Sequence, residues 1–305
     1  MLLPHHSITD LNPRQRQVTE ELEKNILLIA SAGTGKTNVI AWRIANIIQR
    51  GKAEPGDILC LTFTNRACRE MKERIISIAG KPALGITVKT FHSFCHSIIR
   101  ECKDKTDLPE DFIIFDEEDC KEIIVKLSPR FYSTALQNII EFIKEQSIIY
   151  GHNDYSKIIS CICSDPVKKM KLTEMCCDDL LRVDENLYNF ILAKGGQLVQ
   201  LYNEVLSENH AVDFTDLLVI TSKLFQDEQV LKRLRARYKY IHIDEVQDTS
   251  EIEYGIIQKL FHNNRVLLCG DYFQAIYEWR GSNPGAVLRD FSQKYKPELI
   301  VFNQN

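Results

Sequence analysis

Four short apolar runs, each cut off by a polar turn, constrain the fold of this chain more than any other feature. They occupy residues 25–30, 57–63, 240–244 and 265–270 and are rich in Ile, Leu and Val without alternation. Unbroken apolarity means burial on both faces, the pattern of strands in a parallel sheet covered by helices. A shorter run at 86–90 reads as a further strand. Between the first two runs, the stretch 36–49 carries Val39, Ile40, Ile44 and Ile47 at helical spacing, so strand, helix and strand make a βαβ unit. After the second run Ala67, Met71, Ile75 and Ile78 repeat the crossover, with Arg66, Arg69 and Lys72 on the opposite face. Ser250 with Glu253 forms a capping-box pair that opens a helix after the third run, and Pro284 suits the first turn of another.

The interval from about residue 96 to 209 behaves differently. Leu136, Ile139, Ile140 and Ile143, then Leu198, Leu201, Tyr202 and Val205, recur at helical period, and only 112–115 resembles a strand. With 305 residues and a typical domain of roughly 150, two domains are expected. The reading is an α/β domain made of residues 1–95 and 208–296, interrupted by a mostly helical domain at 96–207. The strand-like run at 298–302 has nothing after it to cover it. Residues 297–305 are therefore expected to begin a further domain, cut away or carried by another chain.

Hydrophobic residues make up 44% and charged residues 26% of the chain, the balance of a soluble globular protein. The apolar runs are far shorter than the roughly 20 residues that cross a bilayer, so no membrane role is expected. The first ten residues lack the basic start and apolar core of a secretory signal. Together with ten cysteines, this predicts reduced thiols and a cytoplasmic location. Cys161, Cys163, Cys176 and Cys177 lack paired metal-ligand spacing. The net charge of −4 hides a basic stretch, because residues 62–100 carry seven Lys and Arg against two Glu. That stretch is either an anion-binding face or a solvated helix surface.

In an open parallel sheet, ligands gather beyond the carboxyl ends of the strands. The first run is followed by Ser31, Ala32, Gly33, Thr34, Gly35, Lys36 and Thr37, a phosphate-binding loop with Ala30 where a first glycine is usual. Small residues let backbone N–H groups curl around phosphates, and the next helix points its positive end at them. Lys36 is the candidate for the β/γ-phosphates and Thr37 for Mg²⁺. The third run ends in Asp244 and Glu245. Asp244 is expected to act on Mg²⁺ directly or through water, and Glu245 to serve as the base that positions attacking water. Gln274 lies one turn beyond Gly270 and Asp271, placed to touch a γ-phosphate.

These residues carry a family resemblance across most of the chain. Residues 11–15 (Leu-Asn-Pro-Arg-Gln), 30–37, 61–67 (Leu-Thr-Phe-Thr-Asn-Arg-Ala), 90–93 (Thr-Phe-His-Ser), 213–218 (Asp-Phe-Thr-Asp-Leu-Leu), 243–249 (Ile-Asp-Glu-Val-Gln-Asp-Thr) and 270–281 resemble, in order, the motifs of UvrD/Rep-type superfamily 1 DNA helicases. Departures are Asn38 where arginine is frequent, Tyr272 where an acid is common and Ala275 where serine is common. The resemblance implies a RecA-like P-loop NTPase sheet with an inserted helical domain, and a motor that hydrolyses ATP with Mg²⁺. It implies Gln15 as the adenine-reading residue. It also implies movement on single-stranded or partly duplex DNA, in the 3′–5′ direction. Phe63, Tyr277 and Trp279 would stack bases, with Thr64, Asn65, Thr90, His92 and Arg280 as polar contacts. A second motor domain, in cis or in trans, would supply arginine fingers. The alternative is a module that binds nucleotide and single-stranded DNA without turnover.

Overall fold

The apolar runs become the strands of one parallel sheet in a computed structural model that describes residues 11–31, 33–131, 134–177, 182–271 and 284–302. In chain order the first elements are α1 (Pro13–Glu20), β1 (Ile26–Ala30), α2 (Lys36–Gln49), β2 (Ile58–Thr62), α3 (Asn65–Ala79), β3 (Thr87–Thr90) and α4 (Phe91–Glu101). Next come β4 (Ile113–Ile114), α5 (Glu117–Leu127), α6 (Thr134–Tyr150), α7 (Tyr155–Ser164), α8 (Pro166–Met175), α9 (Glu185–Glu208), β5 (Ala211–Val212) and α10 (Phe214–Leu224). The last are α11 (Glu228–Arg237), β6 (Tyr240–Ile243), α12 (Glu251–Gln258), β7 (Arg265–Gly270), α13 (Pro284–Tyr295) and β8 (Glu298–Phe302). They form two compact units, residues 1–94 with 227–305, and residues 95–226. No helix among the described residues is long and apolar enough to cross a membrane.

In the first unit six strands lie in the order β3-β2-β6-β7-β1-β8, and every neighbouring pair is parallel. Ile26 and Leu28 of β1, Ile58 and Cys60 of β2, and Leu267 and Cys269 of β7 share a buried cluster with Val39, Ile40, Ile44 and Ile47 of α2. This explains why the runs are unbroken: helices leave the central strands no solvent face. The residues left over after one face packs on α2, such as Leu59, Leu61 and Leu268, are buried as well. α2 also anchors α1. The Arg43 guanidinium donates to the carbonyl oxygens of Val18, at 2.9 Å, and Glu21, and the Asn46 amide donates to Thr19 O at 2.8 Å. A buried cation on the last carbonyls of a helix satisfies acceptors that the helix itself cannot. Burial draws the Arg43 pKa down to about 10, still well above neutrality.

The second unit is the mostly helical one that the sequence predicts. α5, α6, α7 and α9 enclose a separate core that includes Ile123, Ile139, Ile143, Ile158, Ile162, Ile191 and Val199. The strand-like 112–115 reduces to β4, which pairs in parallel with β5 through Ile113 to Ala211 and Ile114 to Val212. Residues 208–226, expected with the returning α/β domain, group with this unit instead. The reason is a buried ion cluster. Asp213 and Asp216 make the capping box of α10, and their carboxylates lie 2.6 and 2.8 Å from Nζ of Lys144 on α6. The Tyr202 hydroxyl donates to the same Asp213 oxygen at 3.1 Å.

The Lys144 side chain is only 1% exposed. Burial disfavours its charge, but Asp213 and Asp216 outweigh burial and hold the pKa above its ordinary value. Removing one partner of a buried pair strands the other charge, which typically costs about 3–5 kcal/mol. Lys144→Met should therefore destabilise the helical unit by about that amount in urea denaturation. A loss under about 1 kcal/mol would show that the cluster does not hold α10 on α6.

Candidate nucleotide site

Because all six strands of the first sheet are parallel, their carboxyl ends share one edge. The residues that follow β1, β2, β3 and β6, and Asp271 after β7, therefore collect on it. After β1 the chain turns tightly. Thr34 returns both its N–H, at 3.3 Å, and its hydroxyl, at 2.7 Å, to Ser31 O. Gly33 and Gly35 have φ of 81° and 82°, in the left-handed region where a Cβ is strained. α2 then begins at Lys36 with no side chain capping its amino end. Its first N–H groups and the positive end of its dipole are the features that receive anions.

Lys36 and Thr37 face the turn after β6. Lys36 Nζ, on a side chain 8% exposed, lies 3.0 Å from Glu245 Oε2. Burial opposes the ammonium charge, yet the Glu245 hydrogen bond and charge overcome it, and the pKa is raised. The Thr37 hydroxyl donates to Asp244 Oδ2 at 3.4 Å. Burial, reinforced by the neighbouring Glu245 carboxylate, pushes Asp244 up to about 7. Two adjacent carboxylates at a buried strand end carry charge that a divalent cation would relieve.

Thr37 and Asp244 offer the hard oxygens that suit Mg²⁺. No group of three His, Cys, Asp or Glu able to hold a metal occurs among the described residues. Mg²⁺ commonly takes only one or two protein oxygens, with phosphates and water completing its octahedron. The loop, the helix end and this donor set fit a Mg²⁺-nucleoside triphosphate.

Glu245 itself is strained. Its φ of 54° is left-handed for a residue with a Cβ, a conformation that clusters at functional sites. It leads into a tight turn, Val246–Asp248. Gln247, given no role by the sequence reading, is buried there. Its amide nitrogen donates to Glu245 Oε2 at 2.9 Å and Asp248 Oδ2 at 3.1 Å, and its oxygen accepts the Asp271 N–H at 2.9 Å. Burial, then the Glu245 charge, pushes Asp248 up to about 6. Gly270 makes room for this amide, since a Cβ there would lie 2.6 Å from Gln247 Oε1 and 3.0 Å from Val246 Cγ1. A signal for Gln247 lay inside the 243–249 motif, but its partner Asp271 N is 24 residues away in sequence.

Gln15 borders the phosphate loop. Its Oε1 accepts the Asn12 N–H at 3.0 Å in the capping box of α1, and its Nε2 donates to Thr34 O at 3.0 Å. A second group of predicted residues follows β2 and β3. Phe63 is half-buried and Thr64 is the N-cap of α3, accepting the Ala67 N–H at 3.0 Å. Asn65 opens that helix and is exposed. Thr90 accepts the Ser93 N–H at 3.2 Å where α4 begins. His92 is half-buried, with Nδ1 4.0 Å from Glu253 Oε1. On α3, Arg66 is paired with Glu70 at 2.8 Å, so the basic face is partly neutralised from within. Ala32, Gln274, Tyr277, Trp279 and Arg280 lie outside the described residues.

A phosphate loop, an acid pair and a glutamine at the carboxyl edge of a parallel sheet define a P-loop nucleotide-binding protein. Residues 11–296 match the model of the UvrD/REP helicase N-terminal domain, and the chain belongs to that family. It is 33% identical over 301 residues to the "Probable DNA helicase II homolog" of Mycoplasma capricolum, covering 97% of this chain and 38% of that relative. It is 32% identical over 301 residues to the "ATP-dependent DNA helicase PcrA" of Bacillus subtilis, covering 98% and 38%. The protein of the same name from Staphylococcus aureus is 30% identical over 311 residues, covering 97% and 37%. The chain thus spans well under half the length of these relatives.

The Gly270 geometry is directly testable. Gly270→Ala should displace the Gln247 amide and cost about 1–3 kcal/mol in urea denaturation, as overpacking a tight site does. A neutral substitution would mean that the amide has room to move.

Proposed function

We propose that this chain is the ATP-binding and ATP-hydrolysing motor portion of a DNA helicase or translocase that acts on single-stranded DNA in the 3′–5′ direction. The observation that carries this reading is the meeting of Lys36 with Glu245 at 3.0 Å and of Thr37 with Asp244 at 3.4 Å. Two turns from different strands bring cation, hydroxyl, acid and base to the amino end of α2. When bound, MgATP supplies the phosphoryl group whose transfer to water drives movement. The backbone N–H groups of Gly33 to Thr37, with Ala32 by its motif position, would cradle phosphate oxygens, the left-handed Gly33 and Gly35 allowing close approach. Lys36 would leave Glu245 for the β/γ-phosphates, and Thr37 and Asp244 would hold Mg²⁺, which neutralises phosphate charge when bound. Glu245, released from the ammonium, accepts a proton from the attacking water. Gln15 reads the base beside the loop, and Gln274 senses the γ-phosphate.

The strand-binding group is Phe63, Thr64, Asn65, Thr90 and His92, completed by Tyr277, Trp279 and Arg280. Aromatic faces stack bases while polar groups follow the backbone. A second motor domain, in cis or in trans, supplies arginine fingers, which are typically worth about 10³ to 10⁵ in rate. By itself the chain is a slow ATPase without strand separation.

Hydrolysis of ATP by the purified chain, with and without single-stranded DNA, tests the reading. DNA-stimulated turnover supports it. Tight MgATP and DNA binding with no turnover, even after the chain is extended at its carboxyl end, would favour the non-hydrolysing module. Lys36→Ala should weaken MgATP binding by about tenfold or more in a calorimetric titration, since a charge-assisted contact is removed. Glu245→Gln should leave that affinity nearly intact and slow hydrolysis by about a hundredfold or more, the usual worth of a general base. Parental turnover in the Gln variant would remove Glu245 from the role.

A further inference from the structure

The Glu245 carboxylate has two partners on one oxygen. Lys36 Nζ and Gln247 Nε2 approach Oε2 at 3.0 and 2.9 Å. Only one of them is free to stay when phosphates arrive, because Lys36 opens α2 and carries its ammonium at the helix end that receives them. Gln247 is 3% exposed and its orientation is unambiguous: the nitrogen meets two carboxylates and the oxygen meets a backbone N–H. Reversing the amide would set its oxygen against both acids and its nitrogen against a donor. The close approach at Gly270 leaves the amide little room to swing. Gln247 therefore forms a rigid bridge from Glu245 to the backbone of Asp271, the residue that follows β7.

We propose that Gln247 is a positioning residue with two tasks: it holds the Glu245 carboxylate in place once Lys36 has turned to the nucleotide, and it transmits the state of that carboxylate to the amide of Asp271, the residue that follows β7. The proposal rests on the reading of Glu245 as the base. It adds a physical link between the nucleotide site and the segment that carries Gln274, Tyr277, Trp279 and Arg280. The link runs through two hydrogen bonds on one side chain, so a shift of Glu245 is felt at Asp271 without movement of the sheet. The amide also separates Glu245 from Asp248, giving each carboxylate one of its two protons instead of leaving them in direct repulsion.

Two variants of the chain separate these tasks. Gln247→Met keeps length and apolar volume but loses both donor and acceptor. Gln247→Glu keeps an acceptor for Asp271 and loses the donors to the acids. In the Met variant, exchange of the Asp271 amide with solvent, followed by NMR, should quicken about tenfold, the worth of one hydrogen bond. The amides of Leu267 and Leu268 in β7 should keep their protection, which shows that the fold is intact. In the Glu variant, if folded, Asp271 should stay protected. Saturation with Mg²⁺ and a non-hydrolysable ATP analogue should shift the Asp271 amide resonance in the parent and leave it unmoved in the Met variant.

Under single-turnover conditions the Met variant should hydrolyse ATP about ten- to a hundredfold more slowly with little change in MgATP affinity, as a mispositioned group does. Parental rates in the Met variant alongside an inert Glu245→Gln would overturn the positioning role alone. Parental rates in both would overturn the reading of Glu245. An Asp271 resonance that ignores the analogue in the parent would overturn the link, whether or not the chain turns over.

Discussion

The ion pair between Lys36 and Glu245 is the interaction on which the rest of the site depends. The two residues follow β1 and β6, which are not neighbours; β7 lies between them. Their contact at 3.0 Å therefore closes over the carboxyl end of β7. That end is Gly270, where a Cβ would meet Gln247 and Val246 of the turn that Glu245 opens. A buried ammonium needs a partner, because an unpaired charge out of water is expensive. Glu245 supplies one at the cost of a left-handed backbone, and Asp244 is pushed up to about 7 beside it. Strain and crowded acids that contribute nothing to packing are what a site awaiting a multiply charged ligand displays.

The sheet explains why such residues could be found in sequence. Parallel strands buried on both faces must be continuously apolar, so their ends are sharply marked by the first polar residue. The runs at 265–270 and 298–302 coincide with β7 and β8, while the 57–63 run shortens to Ile58–Thr62 because Asp57 and Phe63 already belong to turns. Asp244 and Glu245 stand directly at such an end, and Lys36 and Thr37 open the helix that follows the loop after another, so their positions were legible. Gln247 was not, because its significance lies in reaching Asp271 across the end of β7. Gln15 was legible as a motif position, yet its bond to Thr34 O depends on how Arg43 and Asn46 pin α1 to α2.

The helical unit was legible only as a class. Its helices share one core, but α7 and α8 are only ten residues each and α8 buries only Leu172, so neither carries a long helical period. The motif at 213–218 illustrates a different limit. Read as the return to the α/β domain, it instead caps α10 and neutralises Lys144 within the helical unit. A motif marks residues that matter together, and the buried cation on α6 that explains this one is about 70 residues upstream.

Membership of the UvrD/REP helicase N-terminal domain family and the geometry at the carboxyl edge point to the same centre. On the proposed reading, this edge receives a Mg²⁺-nucleotide by exchanging the Lys36–Glu245 pair for Lys36–phosphate contacts. A crystal structure of the chain with Mg²⁺ and a non-hydrolysable ATP analogue tests it most directly. The expected result is phosphates at the amino end of α2, Mg²⁺ beside Thr37 and Asp244, Lys36 released from Glu245, and Glu245 still held by Gln247. A nucleotide bound elsewhere, or bound there with the Lys36–Glu245 pair intact, would contradict it.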